Sequence, residues 1–174
     1  MKDQDNLNEK FTKAYDDLAD PIFRHCYFRI SDREKAKDLT QETFIKAWDY
    51  IQKDQTGKIK NMKALIYKIA NNLVIDEYRK RKGNLSLNHL SESGFDVQSN
   101  DQIDKRIEIN MESQKILKVI DGLEETYKEV VLMRYIEELS PKEIAEIIGE
   151  SPNNISVRIN RAIKQIRENL NDEE

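Results

Sequence analysis

Apolar positions along the chain recur at helical spacing, and no segment shows the period-two alternation of a strand facing a core. Asp20-Pro21 offers a capping side chain followed by proline at a first helical position, which predicts a helix opening there and running to about Ile30. Ser31-x-x-Glu34 has the form of a capping box. Behind it Ala36, Leu39, Thr43, Phe44, Ala47, Trp48 and Ile51 make one stripe, leaving Asp38, Gln41, Glu42 and Lys46 on the other faces. Gln55-Thr56-Gly57 marks a loop. A second long helix is predicted from Asn61, with Leu65, Ile66, Ile69, Leu73 and Tyr78 inward, ending at Arg79-Lys80-Arg81-Lys82 and Gly83. Positive charge in a last turn suits the helix dipole.

Residues 83–104 differ in kind: they hold no Lys or Arg, many Ser and Asn, and no sustained helical period, which predicts a flexible linker. Helical patterning resumes with Ile107, Met111, Leu117 and Ile120, breaks at Asp121-Gly122, and continues through Val130, Val131, Met133 and Tyr135. Ser140-Pro141-Lys142-Glu143 then combines a capping box with proline at its first helical position, Gly149 closes that short helix, and Ser151-Pro152 starts another. In this last helix Ile155, Ile159, Ala162, Ile163 and Ile166 share a side, with Asn153, Asn154, Ser156, Arg158, Asn160, Arg161 and Lys164 largely away from it. The expectation is an all-α chain of two small helical domains, 1–83 and 105–174, joined by a flexible acidic linker over 84–104, the second domain carrying a helix-turn-helix.

Composition narrows the function. With 38% hydrophobic and 36% charged residues the cores are modest and the surface highly charged. No apolar run approaches the ~20 residues of a membrane span, and the polar start MKDQDNLNEK does not resemble a signal peptide, so a cytoplasmic protein without membrane insertion is expected. A single Cys26 excludes an internal disulfide, and His25 and His89 lie too far apart in sequence for a metal-site spacing; no metal or cofactor is expected. No nucleophile–base signature or phosphate loop argues for an enzyme.

Net charge is −4, which taken alone argues against nucleic acid, but its distribution does not. Residues 58–82 hold eight Lys/Arg against two Asp/Glu, and residues 152–167 hold four Lys/Arg and no acid. A short helix, a turn with Gly and a longer helix with a polar-basic outer face fit a major groove ~12 Å wide, where Arg, Asn and Ser reach base edges and phosphates. From pattern alone a plain helical hairpin with a solvated face is the alternative.

Two blocks resemble bacterial RNA polymerase sigma factors of the extracytoplasmic-function (ECF) group. Lys37 through Trp48 (KDLTQETFIKAW), Leu65 through Asp76 (LIYKIANNLVID) and Tyr78-Arg79-Lys80-Arg81 are similar to the family's second conserved region. Leu123 through Leu132 (LEETYKEVVL), Tyr135 and Ser140 through Arg167 are similar to its fourth. The chain departs from the family pattern at Leu65, where Trp is usual, and at Glu150, where an apolar residue is common.

The resemblance implies a non-enzymatic promoter-specificity subunit that binds core RNA polymerase and reads the −10 and −35 elements of promoter DNA, with an anti-sigma factor as regulator. It places polymerase docking on Asp38, Gln41, Glu42 and Phe44. It places the −10 element at Lys60, Lys63, Asn72, Arg79, Lys80 and Arg81, with Asn72 near a captured base and the cations on phosphates. Readout of the −35 element falls to Asn153, Asn154, Ser156, Val157, Arg158, Asn160, Arg161 and Lys164. The stretch between Leu85 and Phe95 is expected near the polymerase active-site channel. A stand-alone helix-turn-helix regulator gripping a duplex operator is the competing reading.

Overall fold

Three long helices form the N-terminal body, and the first is longer than its sequence signals suggest. The computed structural model describes residues 2–54, 59–88, 116 and 118–171. Helix α1 (Lys2–Ile30) runs unbroken through Pro21, so Asp20-Pro21 is not a helix start. A proline inside a helix forfeits one hydrogen bond and costs about 3 kcal/mol. Burial offsets that cost, because Phe11, Ala14 and Leu18 before it and Ile22 and Cys26 after it pack on the same core. The early apolar positions lie three and four apart inside a polar, acidic stretch, which hides them from composition.

Ser31 turns the chain with a left-handed φ of 55°, and the helix cap falls one residue later than expected. Asp32, not Ser31, caps α2 (Arg33–Lys53), its carboxylate accepting from the Lys35 backbone N–H. The anticipated capping box therefore does not form. Asn61 caps α3 (Met62–Asn88) by accepting from the Ala64 backbone N–H at 3.0 Å. Helix α3 passes Gly83 and continues to Asn88, five residues into the expected linker; 89–104, and Ile107 and Met111 after it, lie outside the described residues. The three helices pack pairwise around Ile22, Cys26, Leu39, Ala47, Ile66 and Tyr67.

The C-terminal body starts, within the described residues, with a helical turn at 118–121. Then follow α4 (Glu125–Val131), a π-helical turn (Leu132–Ile136), α5 (Pro141–Ile148) and α6 (Pro152–Asn171). The π turn, closed by the Glu137 N–H on the Leu132 carbonyl at 3.1 Å, was not legible from spacing. It inserts a residue into the helical repeat and aims Glu137 inward; Glu138 then reverses the chain at φ 55°. Val119, Ile120, Leu123, Leu132, Ala162 and Ile166 form this body's own core. Among the described residues no helix is long and apolar enough to cross a membrane.

The sequence left the arrangement of the two bodies open; the structure packs them together. α5 lies on α3, and the π turn touches α1. Val130, Met133, Leu139 and Ile144 continue the apolar core of the N-terminal body. At the centre sits Glu137, its side chain 2% exposed, with one oxygen 2.7 Å from Arg29 and the other 2.9 Å from His25 Nδ1. Burial alone would raise the Glu137 carboxyl, but the neighbouring Arg29 and His25 outweigh it and hold it down at about 2. His25 is fully buried; desolvation, then the Arg29 charge, push its pKa below the usual 6.5 against the pull of Glu137. The close His25–Glu137 contact is thus a neutral imidazole donating Nδ1–H to a carboxylate rather than an ion pair. Its Nε2 is the buried side-chain atom left without a partner among the described residues, so a proton there would have nothing to bond.

Both shifts link stability to pH. A group held neutral by burial contributes stability above its unfolded pKa and loses it as pH falls, so His25 acts below about 6.5; the Glu137 contribution persists until pH falls from about 4.5 toward about 2. As pH falls from 7.5 to 5.5 the imidazole takes up its proton in the unfolded chain, whereas the folded His25, facing Glu137, Arg29 and the Tyr67 ring, resists it, and Glu137 stays ionised. The thermal midpoint is expected to fall over that interval, and to fall less in His25→Asn, which keeps an N–H donor without the titration. Circular-dichroism melts at several pH values check this.

Candidate nucleic-acid interface

The last two helices begin and end where the sequence places punctuation. Ser140 accepts from the Glu143 backbone N–H while the Glu143 carboxylate accepts from the Ser140 N–H at 2.8 Å, completing the capping box, and Pro141 occupies the first turn. Gly149 ends α5 in the left-handed region at φ 86°. Ser151 Oγ accepts from the Asn154 backbone N–H at 3.2 Å as α6 begins. Ile155, Ile159, Ala162 and Ile166 are buried, which turns Asn153, Asn154, Asn160, Arg161 and Lys164 to solvent and leaves Val157 40% exposed. Ser156 sits at the edge of this face and donates its hydroxyl to the Pro152 carbonyl.

Arg158 is not free on this surface. One of its terminal nitrogens lies 2.7 and 2.8 Å from the two carboxylate oxygens of Glu150. Glu150 thereby fixes the guanidinium against the turn. A groove runs between Glu124, Thr126 and Tyr127 on one side and Asn154, Val157, Arg158 and Arg161 on the other.

On the N-terminal body, Asn72 is exposed near the middle of α3, whereas its neighbour Asn71 points inward and donates to Glu129 at 2.9 Å. Lys60 and Lys80 are exposed, and Arg79 is exposed beside Asp76. Lys63 reaches a carboxylate oxygen of Glu143 at 2.8 Å. That bond from Lys63, with the one from the Ser140 N–H, holds the Glu143 carboxyl down at about 2. Arg81 donates to the Ile30 carbonyl at 3.1 Å and contacts Glu77, so it ties α3 to the end of α1 as well as carrying charge. All six expected −10 residues thus remain exposed or half-exposed along α3 and its leading edge, with Lys63 engaged across the two bodies and Arg81 within one.

Helix α2 presents a second face. Asp38, Gln41 and Glu42 are exposed, and Glu42 pairs with Lys46 at 2.9 Å. Phe44 is not on that face: it is 5% exposed, with its ring against Tyr15 and Phe11, so its contribution is to hold α2 on α1. Ile45, 63% exposed, stands there instead, at helical spacing from Asp38, Gln41 and Glu42. Its signal in the sequence is an apolar residue lying off the buried stripe. Among the described residues no group of His, Cys, Asp and Glu could hold a metal ion.

Comparison with known proteins covers both bodies. Residues 14–83 match the family model "Sigma-70 region 2" and residues 113–166 match "Sigma-70, region 4". The ECF RNA polymerase sigma factor SigW of Bacillus subtilis is 32% identical, over 94% of this chain and 90% of its own. The RNA polymerase sigma factor YlaC of the same organism is 26% identical, over 98% and 95%. In three dimensions the chain is similar to the sigma factor RpoE of Bartonella quintana, solved with the anti-sigma factor NepR: TM-score 0.73, 20% identity, 95% of this chain and 99% of that one. At that identity the likeness speaks for the fold.

The turn between α5 and α6 is expected to depend on its glycine. A Cβ at 149 meets nothing within 4 Å, so the penalty of Gly149→Ala is the left-handed backbone alone, about 1–2 kcal/mol. Urea unfolding of the variant against the wild type measures it.

Proposed function

The chain belongs to the ECF sigma factors of the sigma-70 family, and is thus a promoter-specificity subunit of RNA polymerase; from that premise we propose which of its residues carry each contact. Recognition of the −35 element falls to the outer face of α6. The carrying observation is that this helix buries one isoleucine-rich side and turns Asn153, Asn154, Val157, Asn160 and Arg161 to solvent directly after a tightly capped turn. That is the geometry that admits a helix into a major groove. Ser156 reads from the edge of this face, and Arg158 and Lys164 lie nearer the phosphates.

The −10 element falls to α3 and its leading edge. Asn72 lies near a base drawn out of the stack, and Lys60, Lys63, Arg79, Lys80 and Arg81 hold the strand backbone by charge. Docking on core polymerase falls to Asp38, Gln41 and Glu42 on α2, supported from behind by Phe44 and completed by the exposed Ile45. An acidic-polar face with one apolar residue suits a cationic partner surface, because complementary potentials set orientation and on-rate. Bond formation belongs to the core enzyme; this chain supplies sequence reading in the cytoplasm, where an anti-sigma protein covering both bodies is the fitting regulator.

The stand-alone regulator loses its footing, because a region-2 match covers the N-terminal body that it would assign to sensing or dimerisation. Footprinting with and without core polymerase is expected to show promoter protection only with core. Gln41→Ala combined with Glu42→Ala weakens core binding while the melting temperature stays within a few degrees. Arg161→Ala costs about 1–3 kcal/mol of discrimination at one −35 position, read as a flattened base preference in run-off transcription from a promoter library. Protection of one duplex site without core would overturn this reading.

A further inference from the structure

An arginine reads guanine with two parallel N–H groups, one on O6 and one on N7. A guanidinium offers two such pairs, one along its side from Nε and Nη2, the other at its end from Nη1 and Nη2. Nη2 belongs to both. It is this nitrogen of Arg158 that Glu150 holds, 2.7 Å from one carboxylate oxygen and 2.8 Å from the other. While the pair stands, Arg158 has no complete fork to offer, only separate N–H groups on Nη1 and Nε.

The pair is built into the turn. Gly149 leaves α5 in the left-handed region, and the N–H groups of Gly149 and Glu150 both donate to the Ala145 carbonyl, at 2.8 and 3.1 Å. One residue later Ser151 caps α6. The Glu150 backbone is therefore fixed between two helix ends, and its carboxylate reaches Arg158 eight positions further on. The Arg158 and Glu150 side chains are 22% and 31% exposed. They are more shielded than the open surface pairs that water and salt readily dissolve.

Arg158 also stands where a base reader would. Asn154 lies one turn before it on α6 and Arg161 three residues after it, and all three line the groove shared with Thr126 and Tyr127. We infer that Glu150 is a specificity-determining residue: by occupying Nη2 it withholds Arg158 from guanine and confines it to single hydrogen bonds on the phosphate backbone. This rests on the −35 role proposed for α6. Release of the arginine is opposed, because a freed carboxylate beside the groove faces the duplex as an unanswered negative charge. The helix therefore reads with its outer face and stays indifferent to guanine at the position within reach of Arg158.

Run-off transcription by the full chain with core polymerase, from a library randomised across the −35 element, tests this. Glu150→Leu is expected to create a preference for guanine at one position where the wild type has none. The gain is roughly tenfold, inside the range of about 5- to 150-fold that a bidentate arginine–guanine contact is worth. Glu150→Gln makes the same test without an apolar group in the turn, and is expected to move the same position in the same direction by less. Glu150→Leu combined with Arg158→Ala is expected to abolish the new preference and restore the base order of the wild type. A merely structural role for Glu150 would lower transcription from every promoter alike and create no preference.

The inference is overturned if neither Glu150 variant gains guanine at any position, or if the gain survives Arg158→Ala. It is also overturned if the double variant loses a guanine preference that the wild type already has, since Arg158 would then read guanine with the pair in place. Arg161→Ala in the same library separates this inference from the role on which it rests. If Arg161→Ala alters a −35 preference and the Glu150 variants alter none, the withholding role falls and the −35 assignment of α6 stands. If none of the variants alters a −35 preference, both fall.

Discussion

A carboxylate sealed from water has to be answered by positive charge or hydrogen bonds, and Glu137 is answered by residues 108 and 112 positions earlier in the chain. The juxtaposition of the two helical bodies follows from that requirement. The π turn immediately precedes Glu137, and Glu138 adopts a left-handed conformation as the chain leaves. Val130 and Met133 are buried beside the same contact. Apolar packing alone would tolerate several registers, whereas a buried ion tolerates one.

The sequence showed the parts that local chemistry dictates. Ser140, Pro141, Glu143 and Gly149 bound a helix by rules acting over a few residues, and α5 begins and ends on them. The seam of α6 was equally plain, since its isoleucines recur at one period. Where two local signals compete, reading fails by a residue or more: Ser31 and Asp32 are both good caps, and the tight turn at Ser31 leaves the role to Asp32. Pro21 misled for a related reason, because a local breaker was outweighed by burial of side chains on both sides of it. The extension of α3 beyond Gly83 is a further case of a local stop signal overridden.

Candidate site residues were legible as types and positions but not as partners. Composition marks Lys63, Arg81 and Arg158 as cations; only the fold reveals that each already has a carboxylate, from Glu143, Glu77 and Glu150 respectively. Phe44 and Ile45 show the same limit at adjacent positions. Both are apolar in a helix with a conspicuous stripe, yet one completes an aromatic cluster with Phe11 and Tyr15 and the other faces solvent. Interactions spanning 58 residues or more leave no periodicity behind, so nothing in the sequence pairs Glu129, Glu137, Glu143 and Glu146 with the N-terminal body.

The pairing of Glu150 with Arg158 has a bearing on how the protein responds to its ionic surroundings. A cation that approaches DNA unescorted displaces counterions from the duplex, and each such displacement makes binding fall more steeply as salt rises. An arginine arriving with its own carboxylate displaces fewer. With the promoter role proposed for it, the α6 surface trades electrostatic grip for tolerance and is expected to keep more of its affinity as salt rises than a helix with the same cations and no acid would.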